Sequence, residues 1–174
     1  MAISLSDRLR ARLAQYDGRA TTVLGEAETE LGGENGYADA LIGLAAEPDG
    51  HIADGATWLL KAALESGTPM TSGQADALFG TLPQISSWAA QLHVCQSVRF
   101  LPISIESARL LSEWVEPLSI HERPFLRAWA LDILARISEG HPAYEALYRK
   151  TLEAAEGDPA ASVRARARNL KARG

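Results

Sequence analysis

Two aspartates stand inside otherwise apolar stretches: Asp54 within residues 52–60 and Asp132 within residues 125–134. A carboxylate in such a setting either faces a groove, where it can act as a base or a ligand, or meets a neighbouring Arg. Three tryptophans, Trp58, Trp88 and Trp129, offer a different chemistry. Exposed Trp combined with Arg is the commonest composition of a binding hot spot. Each Trp also reads as a core residue, since Trp58 lies in Ala56-Thr57-Trp58-Leu59-Leu60 and Trp129 between Ala128 and Ala130. These five residues form the candidate partner-binding set.

Other reactive side chains carry less. His51, His93, His121 and His141 form neither HExxH nor a compact ligand cluster. His93 and Cys95 lie about 200° apart around a helix, so they cannot converge on one ion. No metal site is expected. Cys95, among Leu92, Val94 and Val98, reads as a small buried hydrophobe. The glycine-rich loop 32–36 lacks the Lys and Ser/Thr of a phosphate loop, and Glu34 and Asp39 would repel an anion. Glu26, Glu28 and Glu30 point to different sides of a helix, so they read as a solvated face. No catalytic residue and no cofactor are assigned.

The elements that must position these side chains are helices throughout. The apolar content leans on Ala and Leu, with few aromatic or β-branched runs, which favours helix over sheet. Gly and Pro punctuate the chain. Ser6 is a cap for a first helix on which Leu5, Leu9, Leu13 and Tyr16 share one face, and a second segment covers 20–31. Helical hairpins follow, pairing 37–47 with 50–66, 72–79 with 86–100, 104–117 with 122–138, and 142–156 with 159–172. Pro117 reads as a stop, and Pro124 sits in a first turn. Asp158 reads as a cap ahead of Pro159 at the first helical position. Trp58, Trp88 and Trp129 fall on second helices, whereas Trp114 falls on a first.

One phrase recurs in the last two hairpins. An acidic residue and a Pro (Glu122 and Pro124, then Asp158 and Pro159) lead into apolar-Arg-x-x-Ala. That pattern is Leu126-Arg127 with Ala130, and Val163-Arg164 with Ala167, at an offset of 37 residues. The phrase resembles the HEAT repeat of HEAT and armadillo-like α-solenoids, clearly over 104–172, less so over 36–66, and weakly over 72–100. The resemblance implies an all-α fold: a right-handed α–α superhelix of about four to five stacked antiparallel hairpins. It implies one domain over 1–174, with capping helices in 1–35 and hairpins over 36–172. It also implies a structural ladder between neighbouring repeats, formed here by Arg127, Asp158 and Arg164. Second helices of such solenoids line the concave face, which would carry the three tryptophans.

Charge separates the functional classes. The net charge of −5 conceals +2 over residues 1–19, +4 over 158–174 and −11 between them. An acidic body disfavours wrapping a phosphate backbone. The expected function is a non-enzymatic interaction module for a protein or peptide. The alternative is a HEAT-like nucleic-acid-binding protein or DNA glycosylase-type enzyme, with Asp54 or Asp132 as its acid. Kinship with HEAT-like bilin-attaching lyases rests on fold analogy alone. One Cys suits a reducing compartment, and no leader or membrane-spanning stretch is read, so a cytoplasmic location is expected.

Overall fold

The computed structural model describes residues 3–174. Among these residues the chain is all-α, with ten α-helices, three short 3-10 turns and no strand. No helix among them is long and apolar enough to cross a membrane. The chain divides into two compact units, Met1–Pro102 and Ile103–Gly174, and the division falls at the break marked by Pro102.

The first unit holds α1 (Leu5–Leu13), α2 (Thr22–Leu31), α3 (Tyr37–Ala45), α4 (Gly50–Glu65), α5 (Ser72–Gly80) and α6 (Trp88–Ser97). Its core is built from leucines recurring at helical spacing, with Leu9 and Leu13 of α1, Leu24 and Leu31 of α2, and Leu41 and Leu44 of α3 all buried. Helix α4 packs against α3 and α6, and also touches α1 and α2. Gly55 permits that close approach. A Cβ there would lie 2.9 Å from Leu13 Cδ2 and 3.0 Å from Leu24 Cδ2. The arginines of α1 meet the acidic ends of its neighbours, in the pairs Arg8–Glu34, Arg10–Glu47 and Arg12–Glu30. The positive charge near the start of the chain is thus largely matched inside its own unit.

Several helix limits differ from the sequence reading. Ser4, not Ser6, caps α1: its Oγ accepts from the Asp7 amide at 3.1 Å and donates to Asp7 Oδ2 at 2.6 Å. The competing serine lost because only Ser4 has an acid three residues on to complete this exchange. The segment 86–100 is not one helix. Ser87 caps α6, which stops at Ser97 and passes into a 3-10 turn, Val98–Phe100. Pro102 forces Leu101 into extended backbone (φ −102°, ψ 143°), so the helix must unwind before it.

The second unit holds α7 (Ile105–Leu118), α8 (Pro124–Gly140), α9 (Glu145–Glu156) and α10 (Ala161–Lys171). Helices α7 and α8 pair, α9 and α10 pair, and α8 packs on both α9 and α10. Pro117 does not stop α7. It sits in the last turn, where one missing amide bond is tolerated, and the Ser119 amide still reaches the Val115 carbonyl at 2.9 Å. Asp158 does not begin α10 either; Ala160 is the N-cap residue. The Asp158 carboxylate accepts from the Ala160 amide at 2.8 Å, in a turn that precedes the helix.

Candidate interaction site

Arg127 and Asp158 join the two hairpins of the second unit directly. Arg127 of α8 donates from Nε to Asp158 Oδ2 at 2.7 Å and from Nη2 to Asp158 Oδ1 at 2.8 Å, a two-bond fork on one carboxylate. Its Nη1 donates to the carbonyls of His121 (2.7 Å) and Glu122 (3.2 Å). Asp158 Oδ1 also accepts from the Ala160 amide at 2.8 Å, closing an Asx turn. The guanidinium thus ties the turn before its own helix to the turn before the next one. It also holds the Asp158 carboxyl below its ordinary pKa, with the Ala160 amide acting in the same direction against the cost of burial.

Arg164 repeats half of this arrangement. Its Nη1 donates to the carbonyls of Asp158 (2.6 Å) and Pro159 (2.9 Å), each 37 positions beyond the carbonyls that Arg127 takes. By this geometry Asp158 corresponds to His121, whereas matching by acidic character alone pairs it with Glu122. His121 plays the matching local part: its Nδ1 accepts from the Arg123 amide at 3.0 Å, as Asp158 accepts from Ala160.

The same offset sorts the second helices into faces. The inward positions Leu126, Ala130 and Ile133 of α8 correspond to Val163, Ala167 and Leu170 of α10. A forward face of α8 (Ala128, Leu131) packs with Ala155, Val163 and Ala167 of the next hairpin. A third face carries Phe125, Trp129 and Asp132 on α8, and Ser162, Arg166 and Asn169 on α10. Here two candidate residues meet. The Arg166 guanidinium stands 5.0 Å from the centre of the half-buried Trp129 ring and pairs with Asp132. Phe125, one turn before Trp129, is exposed. Sequence alone does not single out Arg166, which is one of several charges in the basic stretch 158–174. The signal that finds it is the repeat register, since it lies 37 positions after Trp129.

In the first unit Asp54 of α4 serves a neighbour's helix. Its Oδ1 accepts from Ser87 Oγ and from the Ala90 amide (3.1 Å), so it supplements the cap of α6 beside Trp88. This interhelical cap stands where the other hairpins have an acidic-Pro turn. Trp58, one turn after Asp54, is half-buried; Trp88 is 44% exposed at the first position of α6. The structure therefore brings Asp54 to the Trp88 turn in one unit and Asp132 to Trp129 in the other.

The remaining reactive groups pack inward. His93 Nδ1 lies 3.1 Å from Thr57 Oγ1, and burial, helped by the charge of Lys61, lowers its pKa to about 4. Cys95 is buried, which pushes its thiol up. No group of three metal-binding side chains occurs among the described residues. A groove of about 470 Å³ in the second unit is lined by Ile120, Arg127, Lys150, Thr151 and Asp158, and the Arg127 and Asp158 in it are bound to each other. Compared with known protein families, curated proteins and solved structures, the chain matches none.

Proposed function

We propose that this chain is a HEAT-like α-solenoid protein that acts in the cytoplasm as a non-enzymatic module, binding a protein or peptide along its second helices. The carrying observation is the row on α8 and α10, where Arg166 is fixed between the Trp129 ring and the Asp132 carboxylate beside an exposed Phe125. A cation and aromatic rings held in place in advance lose little entropy on binding, the property that makes a hot spot strong. The 37-residue correspondence of Arg127 with Arg164, down to the carbonyls each one takes, supports the solenoid reading. Both helix-embedded carboxylates are engaged, Asp54 by Ser87 and Ala90, Asp132 by Arg166. The charge of −11 between the two basic ends disfavours contact with a phosphate backbone, which favours the binding module over that alternative.

Site-specific photo-crosslinking tests this. A photoreactive residue at Phe125 should give protein adducts in cells, and the same residue at the exposed Glu113 of α7 should not. Trp129→Ala should remove the adducts. Equal yields at both positions, or none at Phe125, would defeat the reading, and nucleic-acid adducts would favour its rival.

A further inference from the structure

Arg164 keeps only one half of the bonding that Arg127 makes. In Arg127 one nitrogen grips two backbone carbonyls while the Nε–Nη2 edge grips Asp158. In Arg164 the first half is present and the second is not: Nη1 holds the Asp158 and Pro159 carbonyls, and the Nε–Nη2 edge meets no acceptor among the described residues. The guanidinium is therefore oriented in advance, by the same two-carbonyl clamp that orients Arg127.

Its surroundings set the chemistry of what can dock. On α8 the forward face is Ala128, Leu131 and Ala135; the corresponding positions on α10 are Ala165, Arg168 and Ala172. The two small residues are kept, and the buried Leu131 is replaced by Arg168, which is exposed and meets no partner among the described residues. Two alanines allow close approach of a backbone, and two arginines at i and i+4, with Cβ atoms about 6 Å apart on one helix face, ask for a pair of anions on one face of what docks. Elsewhere on α9 and α10, Lys171 pairs with Glu156, Arg149 with Glu145 and Arg166 with Asp132.

We propose that the forward face of α10 (Arg164, Ala165, Arg168 and Ala172) docks an acidic helical segment of a partner protein, with one carboxylate seated in the Arg164 fork and a second on Arg168. The template is internal. It is the way Asp158 seats in Arg127 while Val163 and Ala167 pack on Ala128 and Leu131. This surface is separate from the Trp129 row, and its partner need not be the same.

The probe is a fluorescein-labelled helical peptide of 18 residues that opens on Asp-Pro, with Ala and Glu on one face at i and i+4. Its counterpart has Asn and Gln in place of Asp and Glu. Anisotropy with the full chain at 50 mM NaCl should show saturable binding of the acidic peptide only. Arg164→Lys keeps the charge and loses the fork, so it should weaken binding about tenfold, the size expected for a charge-assisted bond. Arg168 is exposed, so Arg168→Gln should weaken binding several-fold without changing the unfolding curve. Arg149→Gln should leave it unchanged, because that guanidinium is already paired with Glu145. Absence of binding, or equal binding by wild type, Arg164→Lys and Arg168→Gln, would overturn the proposal. Tighter binding of duplex DNA through Arg164 and Arg168 would also overturn it, by making the face a phosphate surface.

Discussion

Breaking the Arg127–Asp158 fork should cost the second unit far more than breaking an ordinary surface ion pair. The two side chains are only 14% and 11% exposed, and four hydrogen bonds converge on one guanidinium. Exposed pairs contribute about 0–1 kcal/mol. Here Arg127→Ala would strand a mostly buried carboxylate and two turn carbonyls, so a loss of about 3 kcal/mol is expected. Asp158→Ala removes the acceptor but leaves the guanidinium bound to the His121 and Glu122 carbonyls, so its loss should be nearer 2 kcal/mol by the same reasoning. The double-mutant cycle should then return a coupling of about 2 kcal/mol. Hydrogen exchange of peptides spanning residues 121–172 reads this opening free energy without interference from the first unit.

The pH dependence gives an independent reading of the same bond. Arg127 depresses the folded-state carboxyl below its ordinary value of 3.8. A depressed acid contributes stability that is complete above its unfolded pKa and is lost as pH falls through the folded one. The gap between wild type and Asp158→Asn should therefore be constant at neutral pH and close only as pH falls below 3.8. A coupling under about 0.5 kcal/mol, in the range of solvated pairs, would refute the ladder as a structural device. So would a gap that closes above pH 5.

Three further outcomes follow from the first unit. His93 is held neutral with a pKa near 4, below its ordinary 6.5, so the unfolded chain takes up a proton across that interval before the folded one does. Stability should be complete above pH 6.5 and fall as pH drops toward 4, by up to about 3 kcal/mol, and His93→Gln should flatten that slope in pH-resolved denaturation; an unchanged slope would refute it. Gly55→Ala should destabilise by about 1 kcal/mol, because overpacking against Leu13 and Leu24 outweighs the gain in helix propensity. Gly43→Ala, with nothing within 4 Å of the added carbon, should stabilise by about 0.5–1 kcal/mol, and equal signs in thermal melts would refute the contrast. Cys95 should react with a thiol reagent only as fast as the first unit opens, and native-state reaction at the rate of a free thiol would show that it is not buried.

Helices were legible because Ala and Leu repeat at helical spacing between Gly and Pro, and that signal is local. Helix ends were legible only where one side chain had no competitor. Ser4 and Ser6 are alike in type and differ in what lies three residues on. Asp158 has the composition of a cap, yet Ala160 is the N-cap residue, and the Asp158 oxygens meet a guanidinium 31 positions earlier as well as the Ala160 amide. The unread part of the site is non-local in the same way. Asp54 meets Ser87 and Ala90 across a segment with no clear repeat, so no register predicted the meeting.

Where a register exists it carries more than residue types do. Matching acid to acid pairs Glu122 with Asp158, but the carbonyls that the two arginines take pair His121 with Asp158 instead. That one-position difference decides which residues share a face. At the correct offset of 37, Trp129 falls opposite Arg166 and Leu131 opposite Arg168. The first pair is a cation placed near an aromatic ring within one row. The second is a core position turned into an exposed charge. A repeat that conserves its inward face (Leu126 with Val163, Ala130 with Ala167) while changing the other two has kept its packing and altered its surfaces. Partner recognition is therefore best sought in the residues that depart from the repeat, and Arg166 and Arg168 are the two whose departures the geometry makes specific.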